Sequence, residues 1–195
     1  MPVRTFSPAQ IAEAAAAIRR GEIVAFPTET YYGLAVDGLD VRALALVFAL
    51  KGRGAEKASA LLVADLAMLA ELCADVPARA RELAAIYWPG PLTLALPARP
   101  DLPAAIVHDG FVAARVSPHP VAQALVVSAG RPITATSANP GGGDPARTAA
   151  EVGAHFSGKD FNLLDGGQTP GGLPSTLVRV HGDGIEILRQ GAIFL

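Results

Sequence analysis

Four stretches of this chain concentrate side chains that can hold an anion. In Pro27-Thr28-Glu29-Thr30-Tyr31-Tyr32-Gly33-Leu34, two hydroxyls, a carboxylate and two phenols crowd one turn. In Lys51-Gly52-Arg53-Gly54-Ala55-Glu56-Lys57, three cations fall within seven residues, and the glycines between them let backbone and side chains approach a ligand closely. Arginine brings a planar fork and lysine a point charge, a pairing suited to phosphate or carboxylate oxygens. Thr134-Ala135-Thr136-Ser137-Ala138-Asn139 runs into Pro140 and three glycines, a composition that leaves backbone N–H groups free to cradle an anion. Residues 166–176 are again rich in Gly, Pro and hydroxyls and lead toward a lone cation, Arg189. Each stretch has a plainer explanation as a capped turn or solvated loop. Their shared character, phosphate-compatible and placed at strand ends, points to one binding crevice.

Other chemistries lack their residues. No Gly-x-x-x-x-Gly-Lys-Ser/Thr loop occurs, no Gly-x-Gly-x-x-Gly follows a strand, and there is no Gly-x-Ser-x-Gly elbow. His108, His119, His155 and His181 do not have the spacing of a helical zinc pair, and the single Cys73 excludes an internal disulfide. Cys73 lies in an apolar run and reads as a buried, inert thiol. Sixteen Lys and Arg against eighteen Asp and Glu leave a net charge of −2, which argues against coating nucleic acid by bulk charge. No apolar run reaches the roughly 18 residues of a membrane span, and nothing at the N-terminus resembles a signal peptide, so a cytoplasmic protein is expected.

The elements that must position these stretches alternate. Ser7-Pro8-Ala9-Gln10 has the signature of a helix start, with Ile11, Ala15 and Ile18 on one face and Gly21 as the stop. Residues 23–26 read as a buried strand, and Asp40 caps a second helix with Leu44, Val47 and Phe48 on its apolar face. Residues 60–63, 92–96, 112–116 and 133–136 read as strands, and 65–73, 77–87 and 118–129 as helices. Thr148-Ala149-Ala150-Glu151 repeats the capping pattern, and residues 176–180 and 185–188 form a hairpin about a short turn. With 195 residues and no dividing linker, the expectation is a single α/β domain, residues 1–195, around a mixed sheet.

Seven motifs in order then resemble one family. They are Pro27 to Leu34; Lys51-Gly52-Arg53; Trp88-Pro89-Gly90-Pro91-Leu92-Thr93; Arg115-Val116-Ser117-Pro118-His119-Pro120; Thr136-Ser137-Ala138-Asn139; Ser175-Thr176; and Leu188-Arg189-Gln190-Gly191. The chain is similar in these to the YrdC/TsaC family, the threonylcarbamoyl-AMP synthases, in their single-domain form. The resemblance implies a YrdC-like domain: a twisted mixed sheet flanked by helices, with a concave basic groove. It implies that L-threonine, bicarbonate or CO₂ and ATP, with Mg²⁺, give threonylcarbamoyl-AMP and pyrophosphate. The product would pass to a tRNA threonylcarbamoyl transferase complex that makes N6-threonylcarbamoyladenosine.

By the same resemblance, Thr30, Arg115 and Ser175 would bind threonine. Arg53, Lys57, Ser137, Asn139 and Arg189 would bind ATP, with Lys51 and Arg53 at the reacting phosphates. The chain departs from many relatives in having Gly54 and Ala58 for prolines. Leu62 stands where some carry a threonine-contacting histidine, and Pro145 where some carry a nucleotide-contacting serine. Two alternatives stay open: a paralogue of the same fold acting on another carbamoyl or adenylate substrate, and a double-stranded RNA-binding module.

Overall fold

The computed structural model describes residues 3–52 and 58–195. Arg53, Gly54 and Lys57 therefore lie outside the described residues. The chain opens with β1 (Arg4–Phe6), a 3-10 turn at Pro8–Gln10 and α1 (Ile11–Arg19). The expected capping box of Ser7 and Gln10 is present, with Ser7 N donating to Gln10 Oε1 at 3.1 Å, and Gly21 beyond the helix takes a φ of +82°. Next come β2 (Val24–Pro27), β3 (Tyr32–Ala35) and α2 (Val41–Lys51). Asp40 caps α2 by accepting from Arg42 N at 2.8 Å and Ala43 N at 3.2 Å, while Gly52 ends it in the left-handed conformation.

The middle of the chain forms β4 (Leu61–Leu62), α3 (Leu66–Ala70), α4 (Ala78–Tyr87), β5 (Leu92–Pro97), β6 (Val107–His108) and β7 (Phe111–Arg115). After these follow α5 (Pro120–Ala129), β8 (Ile133–Thr134), β9 (Thr136–Ser137), α6 (Ala149–His155), β10 (Asn162–Leu164), β11 (Thr176–His181) and β12 (Gly184–Arg189).

The architecture is mixed α/β, as expected, with its strands shared between two mixed sheets. One has the order β1-β10-β2-β3-β9; the other runs β12-β11-β5-β7-β4-β8, with β6 beside β7. The run 133–136, expected as one strand, is divided between them. Thr134 pairs antiparallel with Leu61 in the larger sheet, and Thr136 pairs with Leu34 in the smaller one. The break falls at Ala135, whose N–H is taken by Ala60 O at 3.0 Å. This crossing carries Ser137 to the space between the sheets.

The helix expected over 65–73 stops at Ala70, because the next backbone is recruited elsewhere. Ala74 N donates to Pro97 O at 2.9 Å and Arg99 N to Leu72 O at 3.0 Å. The cap of α6 also differs in detail: Thr148 Oγ1 accepts from Glu151 N, but Glu151 Oε2 accepts from Arg147 N rather than closing the box.

Two apolar cores result. Leu92, Leu94 and Leu96 of β5, Val112 and Ala114 of β7, and Val178 and Val180 of β11 bury one face of the larger sheet together with Leu44, Val47 and Leu83. The second core joins α1 to α5, where alanines at 14, 15 and 17 face Ala122, Leu125 and Val126. Small side chains on α1 let the two helices approach closely, and Arg19 reaches across to Ser128 O at 2.7 Å. Cys73 is buried, and burial together with Asp75 pushes its thiol up to about 12.

Candidate active site

Strand parity builds the site. Since alternate residues point to opposite faces, the strands that send Leu94, Val112 and Val178 into the core send their other residues into a cavity of about 640 Å³. Thr93 and Ala95 of β5, Phe111, Ala113 and Arg115 of β7, and Leu177 and Arg179 of β11 form its floor. Ala95 lies in register with Ala113 on one side and Arg179 on the other, so the middle of the floor is low. The facing walls come from Thr28, Thr30 to Gly33, Thr136 and Ser137, Ser59, and the segment holding Gly172, Pro174 and Ser175.

At one end of the floor, Arg115 is 7% exposed. Its Nε donates to Glu29 Oε1 at 2.9 Å, and Ser117 Oγ donates to Glu29 Oε2. Burial alone would raise the Glu29 pKa, but the Arg115 charge and the hydrogen bonds from Ser117, its own backbone N–H and Arg115 outweigh it, so Glu29 stays below the usual carboxylate range. The terminal nitrogens of Arg115 have no hydrogen-bond partner among the described residues.

Arg189, at the end of β12, donates through Nε and Nη2 to Ser175 O at 3.2 and 2.9 Å, and through Nη2 to Ser175 Oγ at 3.0 Å. Ser175 Oγ lies 2.7 Å from Thr93 Oγ1. Burial and then the positive charge of Arg115 lower the Arg189 pKa. Two guanidiniums that repel each other across a cavity favour an anion between them.

The hairpin loop between β2 and β3 is fixed from within and from outside. Thr28 Oγ1 donates to Tyr31 O at 2.7 Å, accepts from Thr30 N at 3.2 Å and lies 3.3 Å from Thr30 Oγ1. Gly171 N donates to Thr30 O at 2.7 Å, Tyr31 OH to Gly172 O at 3.1 Å, and buried Tyr32 OH to Gly167 O at 2.7 Å. Arg147 ties the same glycine-rich loop down through Thr169 O and Pro170 O. The first and fourth polar stretches of the sequence are thus one hydrogen-bonded unit.

Five of the expected site residues line the cavity: Thr30, Arg115, Ser137, Ser175 and Arg189. Lys51 and Asn139 do not. Lys51 is buried, and its Nζ donates to the carbonyl oxygens of Ser137 and, at 2.8 Å, of Asn139, supporting the 137–143 turn from beneath. Asn139 Nδ2 closes that turn through Pro140 O and Gly143 O at 2.8 and 2.7 Å. Arg53 and Lys57 lie outside the described residues. Pro145 lines the cavity, whereas Leu62 is fully buried in the second core and turned away from it.

Sequence reasoning missed Thr93, Arg179 and the partnership of Glu29 with Arg115. Thr93 sits in the Trp88 to Thr93 motif. Arg179 shows only through parity with Leu177; its guanidinium stacks on the Phe111 ring at 4.7 Å and reaches Glu186 at 3.2 Å. Among the described residues no group of His, Cys, Asp and Glu is arranged to hold a metal ion, and no helix is long and apolar enough to cross a membrane.

Residues 16–191 match the model of the Sua5/YciO/YrdC family, described as telomere recombination. The chain belongs to that family. The threonylcarbamoyl-AMP synthase of Bacillus subtilis (strain 168) is 41% identical over 187 residues, covering 94% of this chain and 54% of the relative. That of Chromohalobacter salexigens is 41% identical over 172 residues, covering 86% of this chain and 91% of the relative. The structure of P. abyssi Sua5 complexed with L-threonine superposes with a TM-score of 0.90 at 36% identity, over 98% of this chain and 58% of that one. The chain thus spans little more than half the length of the B. subtilis and P. abyssi family members and nearly all of the C. salexigens one.

Proposed function

We propose that the protein is a threonylcarbamoyl-AMP synthase, an adenylate-forming nucleotidyltransferase that joins L-threonine, bicarbonate or CO₂ and ATP. The observation that carries this reading is the juxtaposition of Arg115, whose terminal nitrogens have no hydrogen-bond partner among the described residues, and the Arg189–Ser175–Thr93 cluster in one cavity between the sheets. It is supported by the relatives that bear this name and by a similar structure that binds L-threonine.

In this reading Arg115 takes the threonine carboxylate while Thr30 and Ser175 orient the rest of the amino acid. The threonine amine adds to CO₂ and loses a proton to give a carbamate. A carbamate oxygen then attacks the α-phosphate of ATP in line, forming the mixed anhydride and releasing pyrophosphate. No protein nucleophile is needed, so the chain's work is positioning and charge neutralisation. Arg53, Lys57, Ser137 and Arg189 hold the nucleotide, with Lys51 and Asn139 shaping the turn that presents Ser137. Mg²⁺, held by the phosphates of bound ATP, would supply positive charge at the pyrophosphate leaving group. The product is passed to a tRNA threonylcarbamoyl transferase complex in the cytoplasm.

The test is pyrophosphate release from ATP, measured with threonine and bicarbonate each present or omitted. Dependence on both is expected. Release that ignores threonine would overturn the assignment and indicate a relative acting on another substrate.

A further inference from the structure

Glu29 is a part-buried carboxylate beside the cavity that no step of the proposed reaction uses. It sits in the β2–β3 loop of the smaller sheet, while its partner Arg115 ends β7 of the larger one. Both carboxylate oxygens are occupied: Oε1 by Arg115 Nε at 2.9 Å, and Oε2 by Ser117 Oγ. Ser117 Oγ is itself fixed, accepting from His119 N at 3.2 Å. Glu29 is not among the residues lining the cavity. An ionised carboxylate that is held by Arg115 and Ser117 and does not line the substrate space is not placed to take a proton from a substrate amine.

Stability does not explain the pair. Side-chain exposures of 8% for Arg115 and 13% for Glu29 mean that both charges are largely desolvated, and such pairs on balance contribute little to folding compared with apolar packing. Their geometry does have a directional effect. A guanidinium offers two edges to a carboxylate, the Nε side and the end formed by the two terminal nitrogens. Glu29 occupies the first, so only the end remains.

We propose that Glu29 is a positioning residue that clasps Arg115 by its Nε edge and so dictates that a substrate carboxylate is bound end-on, by the two terminal nitrogens. This rests on the reading of Arg115 as the carboxylate ligand. Glu29 therefore governs amino-acid binding without touching the amino acid, and nucleotide binding is indifferent to it.

The experiment compares wild type with Glu29→Gln, which keeps an acceptor facing Nε but no charge, and Glu29→Ala, which keeps neither. The KM for threonine should rise about tenfold or more in Glu29→Ala. Glu29→Gln should recover part of that loss, with the KM for ATP unchanged in both. The second readout needs no substrate: the NMR signal of the Arg115 Nε–H, assigned by its disappearance in Arg115→Lys, should be protected from exchange in wild type and shifted in Glu29→Gln. An unmoved Nε–H signal overturns the clasp. So does a threonine KM left at the wild-type value, or an equal rise in the ATP KM. If wild type shows no threonine-dependent pyrophosphate release, the functional reading is what fails, and the Nε–H signal still decides whether Glu29 holds Arg115.

Discussion

The Arg189 guanidinium grips Ser175 at both its carbonyl and its hydroxyl, with Nη2 2.9 Å from the one and 3.0 Å from the other. In the proposed reaction these two residues serve different substrates, the nucleotide and the amino acid. Their direct contact makes the two subsites one mechanical unit, and Thr93 extends it to the floor of the cavity.

Arg189→Ala should therefore weaken both substrates. Loss of a charge-assisted hydrogen bond costs about 1.5–3 kcal/mol, so the threonine KM should rise by about ten- to a hundredfold although Arg189 is assigned to ATP. Steady-state kinetics with each substrate varied will check this; an effect confined to ATP would show that the Ser175 contact is idle.

Gly191 is the second handle on the same segment. A Cβ there would lie 2.2 Å from Pro174 O and 2.5 Å from Ser175 C, both backbone atoms that have no rotamer to escape into. Gly191→Ala should cost about 1–3 kcal/mol as overpacking and displace Ser175. A lower urea midpoint accompanied by a raised threonine KM is expected.

Lys51 and Arg53 should separate by what they lose. Lys51→Met removes the buried donor to Ser137 and Asn139 carbonyls and should destabilise the fold by about 1.5–3 kcal/mol. Arg53→Ala should abolish adenylate formation at an unchanged urea midpoint. Wild-type-like turnover in Arg53→Ala would remove that residue from the phosphate site.

Acid should erode the stability of the fold over two pH ranges. His119 is held below its ordinary 6.5 by burial, only partly countered by the Glu29 charge. Glu29 is held below 4.5, where burial is outweighed by Arg115 and its hydrogen bonds. In both cases the folded state binds fewer protons than the unfolded state, so each contribution is present above the unfolded pKa and lost as pH falls. Urea midpoints should decline first below about pH 6.5 through His119, then further below about pH 4.5 through Glu29. Glu29→Gln should shrink the lower limb, leaving the share of Glu22, and deepen the upper one, because the Glu29 charge partly counters burial at His119.

Cys73 should not react with a thiol reagent at about pH 8 while the protein is folded, because the thiolate is the reactive form. Full labelling in urea is the control.

Much of this was legible in the sequence, for identifiable reasons. Helix caps at Asp40 and Thr148 and the hairpin around residues 182–183 are local signals, and they came out nearly in place. So did the hydroxyls and cations at strand ends, because turn chemistry and site chemistry use the same residue types. The two-sheet arrangement did not. β1 and β10 are three residues each, too short for periodicity, and β3 hides in a run whose tyrosines and glycine read as a turn. Pairings such as Glu29 with Arg115, 86 residues apart, leave no trace in spacing. Lys51 shows the converse problem: a lysine suited to phosphate is equally suited to a pair of carbonyls, and its contacts to the Ser137 and Asn139 carbonyls leave no trace in spacing.

The floor of the cavity and the larger core are opposite sides of the same three strands, β5, β7 and β11. Inserting or deleting a single residue in any of them would exchange the two sides, turning Arg115 or Thr93 into the oil and leucines out to the ligand. Ligand preference can thus drift by substitution in place but not by slippage. Length changes in the gene should be tolerated in the connecting loops and purged from these strands, so the fold polices the reading frame of its own binding site.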